Sequence, residues 1–419
     1  MSSILTNNSA MVALQTLNGI NKDLAMTQNE ISTGKSISSA KDGSAIWAIS
    51  QVMQSDVDGF DAISDSLALG ESTVAVGRNA SESVTDLLNE VKEKIVAAQE
   101  DNVDRTKLQT ELVSLRDQIG GIVNAAQFNG QNLLSNSSTT AGEGSVEVLA
   151  SLDRSATGSV SSSNITVAKA DLGQADSAIS ATSAGVLTDV GTTSAGVGSP
   201  IAAGATETYT LAAADVDTGT AFRFDASVLG GAGNVDHVAR EGDTASDVAS
   251  AVAAKINYDR AANGADMSEY TVVANGDAIE ITYNADTGTG ATLATATFQS
   301  AALDTADEST IGGGLELLGD LDISTENGAA AALEAIEYLT QTAIDGAAEF
   351  GTSEKRLEIQ QDFVTQLTDS LKAGIGSLVD ANMEEASARL QALQVQQQLG
   401  IQSLSIANQA PQQLLSLFR

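Results

Sequence analysis

From Ile46 to Ala98 apolar residues return at every seventh position. One row runs Ile46, Met53, Phe60, Leu67, Val74, (Ser81), Leu88 and Ile95. A second, three residues behind, runs Ile49, (Asp56), Ile63, Gly70, Gly77, Val84, Val91 and Ala98. These are the two seam rows of a coiled coil, sustained over about eight heptads, and a straight helix of that length spans roughly 80 Å. No such helix is stable alone in water, because its apolar stripe needs a partner along its whole length. Gly70 and Gly77 each weaken an isolated helix by about 1 kcal/mol, so their place on the seam predicts close approach by another helix.

Candidate partners lie at both ends. The pattern breaks at "EDNVDRT", where Asp101, Asn102 or Asp104 can cap a second helix. That helix shows Leu108, Leu112, Leu115, Ile119, Ile122 and Ala126 on one face and stops at "QFNGQNLL", with Asn129-Gly130 as a turn dipeptide. Toward the C-terminus, Leu333, Ile336, Leu339 and Ile344 open a helical stretch, with a turn expected around Gly351. Leu357, Phe363 or Val364, Leu367, Leu371, Ile375 and Leu378 continue it. A last helix, with Leu390, Leu393, Gln397, Ile401 and Leu404, is expected to end near Pro411. The N-terminal stripe of Leu14, Leu17, Leu24 and Ile31 is thin, interrupted by Asn21 and Gln28; Gln397 and Gly400 dilute the C-terminal one. Such stripes bury too little alone to offset ordering entropy. Between the first stripe and the long seam lies "ISTGKSISSAKDGSAIWAIS", which holds the only tryptophan and reads as a polar turn. The economical arrangement pairs the N- and C-terminal helices in one bundle.

Between about 136 and 325 Ser, Thr, Ala and Gly dominate. "TDVGTTSAGVGSP" reads as a linker, and "TYTLAAA", "AFRFDAS", "YTVVANG", "AIEITYN" and "TLATATF" read as strands. "DTASDVASAVAAKINYD" is predicted as one helix, with Val248, Val252 and Ile256 inward and Asp243 or Thr244 as cap. The fold class is therefore multidomain: a long α-helical coiled-coil bundle from both termini, with a β-rich α+β domain inserted between them.

The 55 acidic residues against 20 basic ones give a net charge of -35, which argues against nucleic acid and anionic membrane partners. It suits a saline habitat, where screening limits self-repulsion. Aromatics are 3% of residues and cysteine is absent, so small and branched aliphatic side chains must do the packing. The opening "MSSILTNNSAMVALQTLNG" has no basic n-region, apolar h-region or small-residue cleavage site, and no stretch is apolar enough to cross a membrane. On targeting signals alone the expectation is cytoplasmic. No catalytic residue, cofactor or metal ligand is assigned. His237 stands alone in "NVDHVAR" and reads as a surface histidine; no HExxH or phosphate-binding loop occurs. "DRAANGADMSEY" fails as a calcium loop because Ala261 and Tyr270 occupy ligand positions. Asp215, Asp217, Asp320 and Asp322 read as solvated acids.

Four stretches, in order, resemble the bacterial flagellin family. "ALQTLN…ISTGKSISSAKDGSAIWAIS" is similar to its first helix and spoke-like turn. "SLRDQI…FNGQNLL" resembles its second long helix and the following turn, and "TSEKRLE" its C-terminal turn-and-helix. "ALQVQQQLGIQSLSIANQAPQQLLSLFR" resembles its final helix. The resemblance implies a subunit that self-assembles into the helical, extracellular flagellar filament, and so revises the cytoplasmic expectation. It implies export unfolded by a type III apparatus, with a chaperone, filament-cap and hook-associated proteins as further partners. It also implies three regions. Residues 1–40 with 376–419 form the inner filament core, carrying Leu14, Leu17, Leu24, Ile31, Leu390, Leu393, Ile401, Leu404, Leu414 and Leu417 as assembly contacts. Residues 41–175 with 325–375 form a rod with a β-hairpin, packed through Ile46, Met53, Phe60, Leu67, Val74, Leu88, Ile95, Leu108, Leu112 and Leu115. Residues 176–324 form the surface-exposed variable insert. Ser39, Ala40, Lys41, Asp42 and Trp47 form the domain-connecting turn. Some flagellins are read by an innate immune receptor at the segment matching Leu88–Gln99, through a position that is basic there and is Glu90 here. A hook–filament junction protein shares similar terminal helices; the long "IANQAPQQLLSLF" ending favours flagellin.

Overall fold

The computed structural model describes residues 7–155, 159–179, 188–189, 204–213, 216–284, 298–301 and 309–417, with backbone alone at 188–189 and 410–417. The elements in chain order begin with α1 (Asn8–Thr33), α2 (Ser44–Ala98) and α3 (Arg105–Ala125). Strands β1 (Gln127–Phe128), β2 (Gln131–Asn132), β3 (Ser145–Arg154) and β4 (Val160–Ala168) follow. Then come β5 (Thr188–Asp189), β6 (Thr206–Thr210), β7 (Ala221–Asp225), β8 (Asn234–Val238), α4 (Ala245–Ala262), β9 (Tyr270–Asn275), β10 (Ala278–Tyr283) and β11 (Phe298–Ala301). A short α5 (Leu317–Asp320) leads to the long α6 (Glu326–Val379) and α7 (Met383–Leu417). The chain separates into two compact units, residues 1–64 with 362–419, and residues 65–361.

In the second unit the seam rows of α2 are buried as the heptads require: Leu67, Val74, Val84, Leu88, Val91, Ile95 and Ala98 are almost wholly enclosed. Ser81 is enclosed too and donates its hydroxyl to the Gly77 carbonyl at 3.0 Å, so no polar group is stranded. Gly77 meets a helix, α6, as expected, through Phe350, whereas Gly70 meets a strand instead. A Cβ on Gly70 would lie 2.6 Å from Val148 Cγ1, on strand β3, and one on Gly77 would touch Leu133 and Phe350 at 3.4 Å. Arg78 ties α2 to α6 through Glu354 at 2.6 Å, and Lys92 does so through Glu337 at 2.5 Å. Of the candidate caps before α3, Asp104 is the one used, accepting from the Lys107 amide. Asn129 and Gly130, at φ 50° and 81°, make the two-residue turn between β1 and β2.

Helix α6 shows no turn at Gly351. Phe350, Ser353 and Leu357 are buried around it, and that packing outweighs the roughly 1 kcal/mol cost of one glycine in a helix. "TSEKRLE" therefore lies inside a continuous helix. Of the two candidates at the next core position, Val364 is buried and Phe363 exposed. Helix α7 likewise runs through Pro411 to Leu417, since proline removes one backbone donor without abolishing the rest of the ladder.

In the middle of the chain α4 packs against antiparallel sheets ordered β6-β10-β9 and β5-β11-β7-β8. Thr244 caps α4 in a capping box with Asp247, and Val248, Val252 and Ile256 face inward. The scarce aromatics gather here, Phe222, Phe224, Phe298 and Tyr209 meeting with centroids 5.9 to 6.3 Å apart. Arg260, fully buried, donates to the Leu229 and Tyr270 carbonyls at 3.0 and 3.2 Å. "TLATATF" and "TDVGTTSAGVGSP" fall almost entirely outside the described residues, as does Asp215; Asp217, Asp320 and Asp322 are exposed. His237 is not at the surface. It points inward from β8, a strand "NVDHV" too short to stand out by pattern, and is 1% exposed. β3 and β4 form a long hairpin with a register shift between Leu149 and Ser151.

Candidate assembly site

The first unit is built from α1, the start of α2, the end of α6, and α7. Asn7 caps α1 by accepting from the Ala10 amide, and its side-chain amide also donates to the Ala407 carbonyl at 2.8 Å. Gln397 donates to Asn21 Oδ1 at 2.7 Å, and a Cβ on Gly400 would stand 3.2 Å from Leu17 Cδ1. Rising numbers on α1 therefore meet falling numbers on α7, an antiparallel pair. Its seam is Ala10, Ala13, Leu17, Ile20, Leu24, Thr27 and Ile31 against Leu390, Leu393, Gln397, Gly400, Leu404 and Ala407, each at least half-buried.

Both helices break at one place. Gly34, at φ 70°, ends α1 in the left-handed conformation, and its carbonyl accepts from the Ala381 amide at 2.9 Å. Ser36 donates its amide to the Val379 carbonyl at 2.7 Å, and the backbones of Lys35 and Asp380 form an isolated antiparallel bridge. The chain then turns through Ser39 to Asp42. The Asp42 carboxylate accepts from the Ser39 amide (3.0 Å), the Ser39 hydroxyl (2.9 Å) and the Ser38 hydroxyl (3.1 Å). Those bonds, the Ser39 hydroxyl first, hold the Asp42 carboxyl below the usual aspartate range. Ala40 and Lys41 are exposed. Trp47 is not part of the turn but of the first turn of α2, half-buried, with its amide donating to the Gly43 carbonyl at 2.9 Å.

Burial separates the residues singled out by sequence. Leu17, Leu24, Ile31, Leu390 and Leu404 are half-buried and Leu393 is buried, whereas Leu14 and Ile401 are exposed. The Leu414 and Leu417 side chains lie outside the described residues. Of the seam residues, Phe60, Leu67, Val74, Leu88, Ile95 and Leu112 are buried; Met53, Leu108 and Leu115 are half-buried. Ile46 is exposed, and Ile49 with it; the inward positions of that first turn pair are Trp47 and Ser50 instead.

The unit leaves a second apolar row open. Val395, Leu399 and Ile406 share a face of α7 away from the α1 seam, and Met11, Val12, Leu14 and Met26 are exposed on α1. In this whole unit the large apolar residues enclosed among the described ones are Val57, Phe60, Ile63, Val364, Val379 and Leu393. Single exposed apolar residues are ordinary, but several gathered on two paired helices suit an interaction surface. Charge is sparse in the same place: of the 55 acidic residues only eleven fall within this unit, so copies brought together there meet little repulsion. Val395 and Leu399 escaped the sequence reading because it followed the single row that matches α1. Their signal was a second helical row one face away.

The comparisons with known proteins agree with this geometry. Residues 4–139 match the bacterial flagellin N-terminal helical region, and residues 333–418 the bacterial flagellin C-terminal helical region. Flagellin A of Rhizobium meliloti (strain 1021) is 37% identical over 427 residues, covering 100% of both chains. Flagellin A of Rhizobium meliloti is 34% identical over 429 residues, again with 100% of both covered. Flagellin FljK of Caulobacter vibrioides is 29% identical over 426 residues, covering 100% of this chain and 99% of its own.

Proposed function

The chain belongs to the bacterial flagellin family and is a self-polymerising subunit of the extracellular flagellar filament, and from that premise we propose that its outer apolar rows are the surfaces on which neighbouring subunits pack. The observation that carries this is the row Val395, Leu399 and Ile406 left open beside the α1–α7 seam. A patch on one copy meeting a different patch on the next makes a heterologous contact, and one whose rotation does not close builds an open helix rather than a ring. Burial of those rows supplies what α1 and α7 lack as a thin pair. In this reading residues 1–40 with 376–419 form the inner core of the filament, 41–175 with 325–375 the rod, and 176–324 the outward insert. Leu14, Leu17, Leu24, Ile31, Leu390, Leu393, Ile401, Leu404, Leu414 and Leu417 serve the inner contacts. The Ser39–Asp42 turn, with Trp47 just beyond it, connects core to rod.

The role is structural rather than catalytic: what this surface offers is apolar rows, not convergent polar groups. The flagellar export apparatus, its chaperone, the filament cap and hook-associated proteins complete the set of partners, and the lack of cysteine suits passage as an unfolded chain. The test is the double substitution Val395→Glu/Leu399→Glu, on the face turned from α1. Seeded elongation followed by light scattering is expected to stop while circular dichroism shows the monomer still folded. Elongation at the unmodified rate would refute the assignment.

A further inference from the structure

Where the strands of the middle meet the helices, two chain segments cross with no room for side chains. Residues 173–178 run antiparallel to 310–315, with Gly313 donating to the Ala175 carbonyl at 2.8 Å and Leu315 to that of Gly173 at 2.9 Å. A Cβ on Gly313 would fall 2.0 Å from the Gly173 oxygen, and one on Gly314 2.1 Å from the Asp171 oxygen. The triple glycine 312–314 exists for that approach. Around the crossing lies a buried set of charges. The Asp171 carboxylate accepts from the Asn136 amide at 2.9 Å and the Gly173 amide at 2.7 Å. Glu316 accepts from the Ser177 amide at 2.7 Å, pairs with Lys255, and lies 3.6 Å from His237 Nδ1. Arg240 stands 3.4 Å from Asp243, which is 3.9 Å from His237 Nε2. His237, Glu316 and Asp171 are 1%, 6% and 8% exposed.

The basic residues Lys255 and Arg240, with His237, come from α4, β8 and the loop between them, as does Asp243; Asp171 and Glu316 come from the segments that lead out of and back into the helices. A chain with 20 basic residues against 55 acidic ones thus places two of them, with its one histidine, at this crossing. Each buried charge is tolerable only with its counter-charge present: an ion pair of this kind adds little net stability, but leaving one partner alone is severe. We propose that this buried knot is a conformational lock, which makes the β-rich middle and the helices of residues 65–361 one cooperative folding unit, so that the middle is a rigid projection and not a domain on tethers.

The test is hydrogen exchange by mass spectrometry on the full chain, comparing α4 amides with those of α2 and α3 in rising urea. In the wild type both sets are expected to lose protection together. Glu316→Gln, which takes the carboxylate from Lys255 and leaves it the Asp236 carbonyl alone, is expected to speed α4 exchange about a hundredfold while α2 and α3 change far less. Asp236→Asn, which breaks only the Arg223–Asp236 pair within the middle, is the control and leaves the two sets together. Lys255→Met/Glu316→Met, which removes both charges at similar volume and leaves neither uncompensated, is expected to fold even where Glu316→Gln does not and to restore joint loss of protection. Protection of α4 lost ahead of α2 in the wild type, no uncoupling in a folded Glu316→Gln, or a double variant no better coupled than the single one, would overturn the lock.

Discussion

Gly70 and Gly77 occupy the same seam row of α2, one heptad apart, and alanine at each should have opposite effects. In both cases alanine lowers the helix cost by about 1 kcal/mol. At Gly77 the new methyl would sit 3.4 Å from Leu133 and Phe350, an ordinary contact, so the gain of up to about 1 kcal/mol is kept. At Gly70 it would sit 2.6 and 2.7 Å from the two methyls of Val148, whose branched side chain has little rotamer freedom on a strand. Overpacking of that kind costs about 1–3 kcal/mol, so Gly70→Ala should be neutral or destabilising by up to about 2 kcal/mol. Urea unfolding of the monomer, followed by helical circular dichroism, measures both. The Gly70→Ala/Val148→Ala pair should be more stable than the sum of its single effects, because the second change removes the clashing methyls. Equal stabilisation by Gly70→Ala and Gly77→Ala would refute the close approach of β3 to α2.

Glu316 offers a pH test. Burial pushes its carboxyl up, but the His237 and Lys255 contacts outweigh that and hold it at about 2, against 4.5 unfolded. Because the folded value is the lower one, the part of the stability that depends on this charge is fully present above pH 4.5 and fades as pH falls toward 2. Acid unfolding followed through α4 should therefore be shallower in Glu316→Gln than in the wild type, and identical acid profiles would contradict the pairing. The depressed Asp42 carboxyl has the same sign: the turn should hold above the ordinary 3.8 and loosen below it. Trp47, the chain's one tryptophan, reports this directly, and Asp42→Asn should show at neutral pH the emission that the wild type reaches only in acid. Finally, the net charge of -35 predicts that the urea midpoint rises between about 0.05 and 1 M NaCl; a flat response would remove the argument for a saline habitat.

What the sequence disclosed follows from how local each device is. The α2 seam from Phe60 onward and the Asn129-Gly130 turn are set by a few neighbouring residues and were readable, while the caps were narrowed to three and two candidates, of which Asp104 and Thr244 serve. A turn at Gly351 was a fair local reading, overridden by Phe350 and Leu357 packing from either side. His237 was misplaced because its burial depends on Glu316 and Asp243, the first far along the chain. The use of Gly312–Gly314 depends on residues 171–177 in the same way. At the assembly surface the inner rows of α1 and α7 were legible, since they match each other within the chain. The outer row of Val395, Leu399 and Ile406 was not, because it lies off the α1 seam and no row within the chain singles it out.

The central claim is that the terminal unit drives polymerisation, and electron microscopy of purified protein incubated with short filament seeds tests it most directly. Full-length protein and a version lacking residues 376–419 are compared side by side. Long filaments from the first and none from the second are the expected result. Filaments of equal length from the truncated chain would contradict it, and full-length protein that caps seed ends without extending them would point instead to a junction role.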